Sequence, residues 1–86
     1  MENIIDNRDN IKRIVLTYTN TLGYPKELDI LPLDNGMYKG ILLYRGECVG
    51  IYNFNDDNEL VKHIFNTVFA KMTDVCIKIV WKGDKS

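Results

Sequence analysis

The sequence is poor in the residues on which most catalytic and metal chemistry depends. Its 86 residues hold one histidine, His63, and two cysteines, Cys48 and Cys76. Two cysteines and one histidine are too few soft ligands for a zinc centre, and none has zinc-ligand spacing. No CxxC pair occurs, and a secreted chain this short would usually carry more cysteines, so both are expected to be reduced, half-buried thiols. Excess charge is also missing: 11 Lys and Arg stand against 12 Asp and Glu, a net charge of −1. Such a balance gives no general field to draw in nucleic acid or an acidic membrane. No apolar run approaches the ~20 residues of a membrane helix. Residues 1–7 have neither a basic region nor an apolar run, so no leader is read there. A cytoplasmic location is expected, in a bacterium or a phage-infected host.

The six glycines, at 23, 36, 40, 46, 50 and 83, match neither GxGxxG nor a phosphate loop. Gly40 and Gly50 lie inside expected strands, where glycine marks curvature or the close approach of another group; curvature is the expectation. The acidic run Asp56, Asp57, Asn58, Glu59 lacks the glycine and ligand spacing of a calcium loop and reads as a helix cap. His63 should be a solvated side chain on a helix, with neither thiol in reach. No acid, base and nucleophile can be grouped, so the chain is expected not to be an enzyme and to need no cofactor or metal.

What is present is apolar patterning. Hydrophobic residues make up 45% of the chain and charged residues 27%, values of a globular protein. The length suits one domain over residues 1–86, with 83–86 a polar tail. Ile11, Ile14, Val15, Tyr18 and Leu22 recur at offsets of three and four and predict a helix over 4–22. Asn3, Asp6 or Asn7 would cap it, and Gly23 and Pro25 would stop it. Three strands follow, over 28–33, 37–44 and 48–54. Asp34, Asn35 and Gly36 turn the first hairpin and Arg45, Gly46 and Glu47 the second. Pro32 marks 28–33 as the weakest strand, suited to an edge or bulge.

Asp56 and Glu59 then open a second helix with capping-box spacing. Its apolar positions are Leu60, Val61, Ile64, Phe65, Val68, Phe69 and Met72. That stripe predicts the keystone of the core, so Phe65→Ala should cost about 3–5 kcal/mol. A last strand over 74–82 alternates Val75, Ile77, Ile79 and Trp81 against Cys76, Lys78, Val80 and Lys82. The expected fold is α+β, in the order α-β-β-β-α-β, with an antiparallel sheet and two helices on one face. Helix-strand-strand-strand-helix order resembles double-stranded RNA-binding domains. Asn55, Asp56 and Asp57, however, stand where that family is basic, so the likeness ends at element order.

The central hairpin carries the functional expectation. A two-residue turn would place Tyr38, Gly40, Leu42 and Tyr44 on one face with Val49, Ile51 and Asn53. The other face would hold Met37, Lys39, Ile41 and Leu43 with Cys48, Gly50, Tyr52 and Phe54. Both faces are then apolar, while the helices cover one. The uncovered set Tyr38, Leu42, Tyr44, Val49 and Ile51 is the expected protein-binding surface. The expected function is that of a small non-catalytic module that occludes a partner protein, of the phage- or plasmid-encoded inhibitor or immunity kind. A homodimeric structural or regulatory protein is the alternative. Nucleic-acid binding through the same tyrosines, with Lys39, Arg45, Lys78 and Lys82, is weaker because cations are not in excess.

Overall fold

The computed structural model describes residues 8–83. It shows five strands and one helix: β1 (Ile11–Thr19), β2 (Pro25–Pro32), β3 (Tyr38–Tyr44), β4 (Glu47–Phe54), α1 (Asp57–His63) with a π-helical continuation (Ile64–Phe69), and β5 (Thr73–Trp81). All five strands form one antiparallel sheet in the order β4-β3-β2-β1-β5. The α+β class and the run of three strands, helix and strand agree with the sequence pattern. The first helix does not. The order is β-β-β-β-α-β, with one helix among the described residues. The expected cap positions Asn3, Asp6 and Asn7 and the tail beyond Gly83 lie outside the described residues.

Segment 11–19 is a strand because its pattern alternates from Ile14 onward. Ile14, Leu16 and Tyr18 are buried, and Val15, Thr17 and Thr19 between them are not. Ile11, Ile14, Val15, Thr17 and Thr19 are β-branched, which suits a pleated surface better than a helix. The helical stripe omitted Leu16, which is fully buried, and included Leu22, which is 78% exposed in a loop. Gly23 is not a helix cap either. It sits at φ +87° in the β1–β2 turn, where Asn20 Oδ1 accepts from Leu22 N at 3.0 Å and Tyr24 N at 2.9 Å.

Strand β2 is interior despite two prolines, because they sit at its two ends. Leu33 N donates to Met37 O across the β2–β3 turn. By alternation, the Pro32 nitrogen then faces β1, beyond the last β1–β2 pair at Ile14 and Ile30. The Pro25 nitrogen faces β3, beyond the last β2–β3 pair at Glu27 and Leu43. Neither missing N–H leaves a gap in a ladder. The expected edge position of this strand is corrected accordingly.

Strands β4 and β5 are the two edges, and the chain between them crosses the sheet. Five strands span about 19 Å across four inter-strand gaps. Seven α-helical residues at about 1.5 Å each, followed by six π-helical residues that rise less per residue, carry the chain over most of that width. Asp56 caps the start as expected, its Oδ1 accepting from Glu59 N at 2.9 Å, while Glu59 reaches back to the backbone of Asn55. Leu60 and Val68 are fully buried, and Ile64 and Met72 pack beside them. That spacing of four drifts about 40° per step in an α-helix. The π segment, bonded i→i+5, turns less per residue and reverses the drift, which holds all four on one line over the sheet. Val61, Phe65 and Phe69 lie one position round and stay exposed; Phe65 is 59% exposed and is no keystone. The core is instead Leu16, Leu28, Ile30, Tyr38, Leu60 and Val68, with Ile11, Ile14, Tyr18 and Phe54 around them.

Candidate docking surface

The β3–β4 hairpin turns through Arg45 and Gly46, both at positive φ, as a two-residue turn requires. Tyr44 pairs with Glu47 and Leu43 with Cys48, but Leu42 pairs with Gly50. One extra residue therefore enters β4 after Cys48. This bulge inverts the facing of everything that follows. Gly50, Tyr52 and Phe54 join Tyr38, Gly40 and Leu42 on the helix-covered face, and Ile51 and Asn53 join Lys39 and Ile41 on the open face.

The five residues expected to form one surface are thus divided. Tyr38 is 1% exposed and belongs to the core, and Leu42 packs against that core. Tyr44 is half-buried at the hairpin end, where Tyr24 meets it edge-on at 5.9 Å and Lys26 Nζ lies 4.5 Å from its ring centroid. Only Val49, at 51%, and Ile51, at 58%, are freely exposed. Gly40 and Gly50 share the covered face instead of lying opposite. Gly40 is explained by close approach: an added Cβ would stand 3.1 Å from Phe54 Cε2 and 3.3 Å from Leu28 Cδ1.

The open face is mixed. Arg13 Nη1 lies 3.4 Å from Asp29 Oδ2, and Glu27, next to Asp29 on the same face, shares a hydrogen bond with it. That shared bond, and then burial, hold the Glu27 carboxyl above its usual pKa. Val15, Leu31, Ile41 and Leu43 are half-buried among these polar groups. The apolar excess read from the hairpin is therefore concentrated at the β4 edge.

The two edges differ in composition. Strand β5 carries Lys78 in its middle, a common guard of edge strands. From Cys48 to Phe54, β4 has no charge and no proline, and its one irregularity is the bulge. The odd residues of β3 bond β2, following Leu33 and Met37. Its even residues therefore bond β4, at Gly40–Tyr52 and Leu42–Gly50. The backbone groups of Ile51 and Asn53 consequently point away from the sheet.

The chain has no significant match among family models, curated proteins or solved structures. Among the described residues, no helix is long and apolar enough to cross a membrane. No group of three or more His, Cys, Asp and Glu side chains there is placed to share a metal ion.

His63 is not solvated as expected. Its ring packs 4.9 Å from Tyr52 and 5.2 Å from Phe54, and burial pushes its pKa down. Cys48 and Cys76 are both free and exposed, where half-burial was expected. The exposed ridge Val61, Phe65 and Phe69, its two rings 5.5 Å apart, escaped the sequence reading. A strict spacing of four beside the Leu60, Ile64, Val68 line was the available signal.

Proposed function

We propose that the chain is a small non-catalytic protein-binding module that takes up an extended strand of a partner protein along β4. The observation that supports this is an outer strand with outward backbone groups at Ile51 and Asn53, exposed Val49 and Ile51, and no charge or proline between Cys48 and Phe54. Strand addition draws its affinity from main-chain hydrogen bonds and its selectivity from alternate side chains. A module of this kind acts by occlusion, as an inhibitor or immunity protein does, with Tyr38 and Leu42 alongside on β3, paired with Phe54 and Gly50. Two exposed free thiols suit a reducing cytoplasm.

The test is retention of proteins from a lysate of the source cells by wild type and by Ile51→Lys, side by side. A set of proteins held by wild type and lost by the variant, with unchanged circular dichroism, is expected. Equal retention by both would remove β4 from the binding surface.

A further inference from the structure

We infer that the strand β4 accepts is β4 of a second copy, paired antiparallel about a two-fold axis at Ile51; this rests on the strand-accepting role proposed above. A two-fold axis normal to the sheet joins covered face to covered face, so residues of like facing must lie opposite. Beyond the bulge the outward-bonding positions of β4 are odd-numbered, and Ile51 is the one nearest the strand's centre. Centring on Ile51 sets Ile51 beside its own copy and Asn53 opposite the Cys48–Val49 bulge. The bulge then brings Glu47 opposite the neutral Phe54, both on the covered face, so no like charges face each other along the strand.

The ends of β4 differ in charge, and the two-fold makes them complementary. The turn before β4 carries the exposed Arg45, and the helix start after it carries Asp56 and Asp57. Antiparallel pairing brings each Arg45 to the other copy's acidic helix start, where the bulge sets it level with Asp56. Centring on Tyr52 instead would set Glu47 against Asp56, a like-charge contact that disfavours that register. On the outer edge of β5, Lys78 opposes the corresponding pairing. One strand pair is a small interface, so the dimer is weak and forms toward high concentration.

The test uses the full chain. Sedimentation equilibrium from micromolar to millimolar concentration should show monomer passing to dimer, and Arg45→Glu should weaken the association by several-fold or more. Residues directly opposite in an antiparallel pair have Cα atoms about 4.5–5.5 Å apart, within disulfide range. With Cys48→Ser and Cys76→Ser in place, Ile51→Cys should therefore cross-link to a covalent dimer under mild oxidation, much faster than Lys78→Cys on β5. Monomer at all concentrations, or equal cross-linking by the two variants, overturns the proposal. A strict monomer that still holds a lysate protein through Ile51 overturns only the second copy as occupant and leaves strand acceptance standing.

Discussion

The Tyr38 hydroxyl donates to Asp57 Oδ1 at 2.5 Å and fastens the start of β3 to the first turn of α1. The ring beneath is covered by the Arg8 guanidinium, 4.3 Å from its centroid, and Arg8 also donates to the carbonyls of Leu33 and Met37. One buried phenol thus joins the residues before β1, the β2–β3 turn, β3 and the helix. Tyr38→Phe keeps the packing and loses the bond, which should cost about 1–2 kcal/mol in a urea titration. Burial first, and then the bond to Asp57, push the Tyr38 pKa up to about 12. A raised folded value means that its contribution is complete below the ordinary value near 10 and is lost as pH rises toward 12. Tyr38→Phe should flatten the alkaline arm of the stability profile; an unchanged arm would show that another group governs it.

His63 gives the acid side its own signature. Its pKa is lowered by burial against Tyr52 and Phe54, so the folded state disfavours the imidazolium. Its stabilising effect is therefore present above the ordinary value near 6.5 and lost as pH falls through the lower folded value. Thermal melts of wild type should show the midpoint falling on acidification below about pH 6.5. His63→Phe, which keeps a ring in the same place, should remove that part of the fall.

Gly40 and Gly50 should respond oppositely to alanine. At Gly40 the new Cβ meets Phe54 Cε2 at 3.1 Å, and the Phe54 ring is itself held against His63 and Tyr52. Gly40→Ala should destabilise by about 1–3 kcal/mol. At Gly50 the nearest atom is Leu42 Cβ at an ordinary 3.6 Å, so Gly50→Ala should fold with near-native stability. Chemical denaturation of the pair checks the difference, and equal losses would contradict it.

The helix separates large residues that carry stability from those that do not. Leu60→Ala should cost about 2–5 kcal/mol, because Leu60 is fully buried in the core. Phe65→Ala should cost well under half of that, because its ring is mostly in water against Phe69. A comparison of denaturation midpoints decides the point.

Local chemistry was legible wherever one residue dictates its own backbone. Asn35 and Gly36, Gly46, and the Asp56 cap turned or opened the chain where their side chains and φ preferences require it. Apolar content with strict alternation marked β5 as a strand. The sequence also held the signal for β1, in the alternation of Ile14, Leu16 and Tyr18. A competing three-and-four spacing through Ile11, Val15 and Leu22 masked it, since short apolar runs satisfy both periods.

Tertiary structure decided what no local pattern encodes. A single residue inserted after Cys48 exchanged the faces of β4, sending Phe54 to the core, Tyr52 to the covered side against His63, and Ile51 to the open side. The choice between Phe65 and Leu60 was set by where the helix axis lies over the sheet and by the slower turn of its π segment. Turns and caps are properties of a few neighbouring residues, and the sequence alone therefore determined them. Facing, register and exposure depend on which strand lies alongside, and packing of the whole chain selects that.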